Sequence, residues 1–276
     1  MNILERILYF LQSEMTEPKA FGLFYILWLS LVIISIFILS RSKNKYNEKK
    51  LKRVLAVYGI VALILEVLKQ LIWSFNYDIN TNMVTWNYQW YAFPFQLCTT
   101  PIFVSLICLF LKKNKLRDYL LSYMSYITIL GSFSTMILPD SCFTTDILVN
   151  IHTMWLHLGS FVVSVYLLMT GEVKTTVKSV LKSIVVLLIF VIIADTMNVI
   201  MYNLDVLNGE TFNMFYISPY FESSLPLFDT IQRNVPYVSY LLIYISSLSL
   251  GAFVIYLLCM LISKYRQNLY RGAVRK

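Results

Sequence analysis

The chain has 276 residues, of which 58% are hydrophobic and only 14% charged. A soluble domain carries more polar surface than that, and several apolar runs reach the ~20 residues needed to cross the hydrocarbon core of a bilayer. The net charge of +8 is concentrated in short loops, which excludes a nucleic-acid-binding face, and the four cysteines form no CxxC pair, so neither a disulfide framework nor a structural zinc site is implied.

In chain order, residues 1–18 read as an interfacial segment. Ile3, Leu4, Ile7, Leu8 and Leu11 share one helical face while Glu5 and Arg6 lie off it, the pattern of a helix lying in the headgroup layer rather than a cleavable signal peptide. Residues 19–264 then carry seven predicted spans, at 21–40, 54–74, 92–111, 118–138, 148–170, 183–204 and 235–263, and residues 265–276 form a basic tail. Nineteen of the 23 Lys and Arg residues fall in loops 41–53, 112–117 and 171–182 and in the stretch after residue 263. These segments alternate with acidic or neutral loops, so the positive-inside rule puts them in the cytoplasm and the N-terminus outside. The expected fold class is an all-α, polytopic membrane bundle of about seven transmembrane helices in the cell membrane.

The outer loops differ from the inner ones. Residues 75–91 are rich in Trp and Tyr, which suit the headgroup level. Loop 205–234 is the longest, holds Pro219 and Pro226, and has the length of a lid over a site. The third span opens on Phe-Pro-Phe-Gln-Leu-Cys-Thr-Thr-Pro, residues 93–101, where plain hydrocarbon would suffice. Pro94 suits a helix start; Pro101, read as lying inside the helix, is expected to free the carbonyl of Leu97 and kink the chain below Cys98.

Polar groups inside the predicted spans collect in their outer halves. At ~1.5 Å per residue, Glu66, Lys69, Cys98, His152, His157, Asp195 and Asn198 fall roughly 6–14 Å below the outer ends. Such groups tend to face a bundle interior. Glu66 and Lys69 stand at i, i+3 and can pair. Thr153, His157, Ser160 and Ser164 form one polar stripe, and Asp195, Asn198 and Tyr202 another. His152 points about 140° away from His157 on an ideal helix, which favours His157 as the inward-facing imidazole. Cys108 and Cys259 read as small hydrophobes.

Pro-Phe-Gln-Leu-Cys-Thr-Thr-Pro at 94–101, Trp-Leu-His-Leu-Gly-Ser at 155–160 and Asn-Met-Phe-Tyr-Ile-Ser-Pro at 213–219 together resemble the YwaF family of bacterial integral membrane proteins, from about residue 50 to 262. That family is similar to eukaryotic multi-pass acyltransferases acting on ether phospholipids and, more distantly, to the androgen-induced hydrolases, which use Thr and His. The resemblance implies Cys98 as the nucleophile and His157 as the histidine, with Thr99 or Thr100 as the counterpart of the hydrolase threonine. A thiol in apolar surroundings needs a base, and a third group such as Asp195 or Asn198 would orient the ring. Gln96, Thr99, Asn198, Glu66 and Asn213 are the candidate substrate-binding residues. The reading is a lipid acyltransferase or acyl-ester hydrolase with an outward-opening cavity. It calls for a phospholipid or fatty-acyl substrate and for anionic lipids at the cytoplasmic rim, and for no cofactor, metal or nucleic acid. The alternatives are a transporter, since buried ionisable groups also line ion paths, and a non-catalytic lipid-binding protein.

Overall fold

The computed structural model describes residues 2–40 and 47–274, with the backbone alone for residues 140, 141 and 266–274. Arg41, Lys43 and Lys45 of the first basic loop, and Arg275 and Lys276 of the tail, lie outside the described residues. Helix α1 (Ile3–Leu11) starts at a capping box in which Asn2 and Glu5 satisfy each other's backbone N–H. Leu8 is buried, and Gln12 just beyond donates to the carbonyls of Ile72 and Phe75, both at 2.7 Å, docking α1 over the end of α3.

Helix α2 (Leu23–Ser40) is apolar on every side and mostly exposed, as a lipid-facing span must be. Helix α3 (Glu48–Ser74), capped by Asn47, is the central rod and packs on α4 and α7. A Cβ on Gly59 would stand 2.5 Å from Ser105 Oγ, so glycine is what permits the close approach of α3 to α4. A two-stranded hairpin follows, β1 (Phe75–Asp78) antiparallel to β2 (Met83–Trp86), with Phe75 opposite Trp86.

The third predicted span is not one helix. A 3₁₀ turn covers Trp90–Ala92, the chain is then irregular to Thr99, and α4 occupies only Thr100–Phe110. The residue before a proline is pushed toward extended backbone, and Phe93 lies at φ −50°, ψ 135° before Pro94. Pro101 therefore does not kink a helix; it sits in the first turn of one, where its missing N–H costs little. The polar side chains here stand in for helical bonding. Thr100 Oγ1 donates to Leu97 O at 2.8 Å, and Thr99 Oγ1 donates to Gln96 O at 2.9 Å while accepting the Gln96 N–H at 2.8 Å. Irregular backbone at membrane depth is tolerated where protein buries it in this way.

Helices α5 (Lys115–Tyr123) and α6 (Ile129–Ile137) join through one π turn, Met124–Thr128, into a single rod. A π turn disturbs the helical ladder; here Met124 O accepts Ser164 Oγ of α7 at 2.6 Å and Thr128 Oγ1 at 2.9 Å. Helix α7 (Ile147–Thr170) ends on Gly171 at φ 73°, the left-handed cap that glycine adopts freely. Helix α8 (Val177–Asn203) packs on α5, and the short α9 (Phe228–Asn234) leads into α10 (Tyr237–Val274).

Six of these helices are long and apolar enough to cross a membrane, and Thr100–Phe110 is a shorter apolar helix beside them. The protein is thus multi-pass and helical, with six long candidate spans among the described residues and a broken, partly helical segment at the third predicted span. The end of the bundle bearing the basic loops is stapled by Arg117, whose side chain is 1% exposed. Its Nη1 and Nη2 meet Glu48 Oε1 and Oε2 at 2.6 and 2.8 Å, and Nη2 also meets Glu172 Oε1 at 2.9 Å. One guanidinium so joins the start of α3, the start of α5 and the loop after α7.

Candidate active site

Glu66, Lys69 and Gln70 share one face of α3 at i, i+3 and i+4, and all three converge on the Glu66 carboxylate and its surroundings. Lys69 Nζ lies 2.7 Å from Glu66 Oε1, and Gln70 Nε2 donates to the same oxygen at 2.8 Å and to Ala92 O at 2.6 Å. From α7, His152 brings Nε2 to 2.8 Å from Glu66 Oε2. Glu66, His152 and Lys69 are 3%, 4% and 7% exposed, and Lys69 also stands over the Trp73 ring at 5.4 Å. The contact between His152 Nε2 and Glu66 Oε2 is close but not aligned: neither atom completes a hydrogen bond of good geometry, although both are fully buried. A buried carboxylate is tolerable here because an ammonium, an amide and an imidazole surround it.

Cys98 lies in the irregular stretch before α4, which Gln70 ties to α3 through Ala92 O. The Cys98 side chain is half-buried. Two cavities lie elsewhere: one of about 550 Å³ beside Gln12, Trp73 and Asp146, and one of about 530 Å³ between Leu39 and Arg53.

A second polar group holds the long outer loop. Asn198 of α8, fully buried, accepts the Met214 N–H at 2.7 Å and donates to Met214 O at 3.1 Å. Gln96 accepts the Phe215 N–H at 2.8 Å and donates to Asn213 O at 2.9 Å. Asn213 accepts from Ser218 N at 2.8 Å and donates to Glu222 O at 2.9 Å. Between these clamps Phe215 and Tyr216 hold φ of 58° and 59°, an uncommon backbone for bulky side chains, and Phe215 stacks on Phe95 at 5.7 Å. Asp195 accepts the hydroxyl of Tyr237, which also lies 2.9 Å from Ile217 O.

A model of the TMEM164 family matches residues 16–270. The chain belongs to the TMEM164 family. The name that the match carries is this one, not YwaF. No curated protein and no solved structure matches the chain.

In this TMEM164-family chain the residues singled out from the sequence divide into two groups. Glu66 and Lys69 pair in one buried polar centre, and Cys98 lies in the segment that follows Ala92, whose carbonyl Gln70 holds. Gln96, Asn198 and Asn213 spend their amides on the backbone of the 213–222 segment, and Thr99 spends its hydroxyl on Gln96. Helical phase turned His152 away from polar company; the structure buries it against Glu66 of another helix. His157 is half-buried, with Nδ1 at 3.1 Å from Thr135 Oγ1. Gln70 and His152 were missed as members of the centre. The signal available was that Gln70 extends the Glu66–Lys69 face by one position.

Proposed function

We propose that this protein is a lipid acyltransferase or acyl-ester hydrolase in which Cys98 takes up the acyl group. One observation carries the reading: the Glu66 carboxylate, paired with Lys69, lies 2.8 Å from His152 Nε2, and Gln70, which donates to that carboxylate, also holds Ala92 O, so the chain leading to Cys98 is tied to the helix that meets the imidazole. These are the components of a nucleophile–base–orienter chain. Glu66 Oε2, 2.8 Å from Nε2, stands beside that side of the imidazole, which leaves Nδ1 to accept a proton.

In the first step the Cys98 thiol gives its proton to the imidazole and the sulfur attacks the ester carbonyl. The C–S bond forms, the ester C–O bond breaks, and the leaving alkoxide takes the proton back. In the second step the hydroxyl of a lysophospholipid, or water, loses its proton to the imidazole and attacks the thioester; the acyl group departs and Cys98 regains its proton. Lys69 favours the thiolate and the developing oxyanion by its charge. The positive-inside rule places the N-terminus outside and the C-terminus in the cytoplasm, which sets this centre toward the outer leaflet. His157, from the same helix, is the rival base.

The test is acyl transfer by purified protein in phospholipid vesicles supplied with a labelled diacyl phospholipid and a lysophospholipid. Cys98→Ala is expected to lower the rate by at least about 10³-fold, while Cys108→Ala and Cys259→Ala stay near the parent. Undiminished transfer by Cys98→Ala ends the thiol reading.

A further inference from the structure

The basic end of the bundle holds a cavity of about 530 Å³ lined by Leu39, Asn47, Lys49, Lys50, Arg53 and Val54. Leu39 lies in the last turn of α2 and the others in the cap and first two turns of α3. Positions 49, 50 and 53 are i, i+1 and i+4, so the three cations occupy neighbouring places on one side of α3. Lys50 is fixed in the wall: its Nζ donates to Leu39 O at 3.1 Å and stands over the Tyr166 ring at 5.7 Å. Lys49 and Arg53 are exposed. Among the described residues no acidic side chain lines the cavity, and the adjacent Glu48 is engaged by Arg117 at 2.6 Å. The opening turn of a 27-residue helix adds its own positive field.

The geometry points to a binding site for an anionic phospholipid, its headgroup phosphate among Lys49, Lys50 and Arg53 and its upper acyl chain against Leu39 and Val54. Both apolar residues belong to helices long enough to span a membrane, and the cavity surface is almost wholly apolar, formed by Leu39, Val54 and the carbon stems of the basic side chains, so it suits an acyl chain while the exposed Lys49 and Arg53 offer their charge to a phosphate beside it. A soluble phosphate has use for the cations alone; the wall is what selects a lipid. The site lies at the opposite end of α3 from Glu66 and Lys69, and its occupancy is read without acyl transfer, so it stands or falls apart from the chemistry at Cys98.

The experiment titrates the full chain in detergent micelles with phosphatidylglycerol or phosphatidylcholine and counts bound lipid by native mass spectrometry. Wild type is expected to bind one phosphatidylglycerol in preference to phosphatidylcholine. A Lys49→Gln/Arg53→Gln protein is expected to lose that preference by about tenfold or more, whereas Lys174→Gln/Lys178→Gln, which removes the same charge from another basic loop, keeps it. Should the first double variant fail to fold, Arg53→Gln alone is expected to lose about threefold or more. Absence of a preference in wild type, equal loss in both doubles, or displacement of the lipid by millimolar glycerol 3-phosphate each overturns the assignment.

Discussion

A His152→Gln protein is expected to transfer acyl groups about 10²–10⁴-fold more slowly than the parent, the usual scale for a lost general base. Gln keeps a polar tip that reaches Glu66 but accepts no proton, so folding and chemistry separate. Glu66 lies 2.8 Å from His152 Nε2 and is itself held by Lys69 and Gln70, which keeps a carboxylate beside the ring. Among the described residues His157 meets a threonine hydroxyl, at 3.1 Å through Nδ1, and no carboxylate. His157→Gln is therefore expected to stay within about tenfold of the parent. Initial rates in the same vesicles, with melting temperature as the control for folding, check the ranking. The reverse order would make His157 the base, as the polar stripe on α7 suggested.

Arg117→Met is expected to destabilise the bundle by about 3–5 kcal/mol, because removing one partner of a buried ion pair strands the other. Glu172, whose side chain is 5% exposed, would lose the guanidinium and keep only Lys113, at 3.8 Å. Methionine fills comparable volume, so the effect reads lost charge rather than a hole. Thermal unfolding in detergent should show a melting temperature lower by several degrees. Adding Glu172→Gln should restore part of the loss, since it removes the stranded charge. A melting curve unchanged by Arg117→Met would mean that the three elements meet without the staple.

The long helices were legible because lipid leaves a spanning chain few options: every backbone group must be satisfied within its own segment. Apolar runs with basic ends accordingly marked α2, α3, α7, α8 and α10 to within a few residues at most boundaries. The third span failed for a local reason. Its hydropathy is that of a helix, but Pro94 and Pro101 bracket only six residues, too few for a helix of their own, and Gln96, Thr99 and Thr100 satisfy the irregular backbone instead. The site was half legible. Glu66 and Lys69 sit on one helix, where spacing decides contact. His152 reaches Glu66 from another helix, and phase within α7 says nothing about what α3 presents to it. The clamp on the outer loop was hidden in the same way, since Gln96 and Asn213 are 117 residues apart. Polar residues gathered at one depth can serve chemistry or can tether a loop, and only the partners tell which.

The central claim is that the Cys98 sulfur carries the acyl group. The most direct measurement is the mass of the intact protein, quenched with acid during turnover of a diacyl phospholipid, followed by peptide mapping. A covalent adduct of the donor's acyl mass, released by neutral hydroxylamine and located on Cys98, is the expected result. An adduct on Thr99 or Thr100 that resists hydroxylamine, or turnover with no adduct even when the acceptor is withheld, would contradict it.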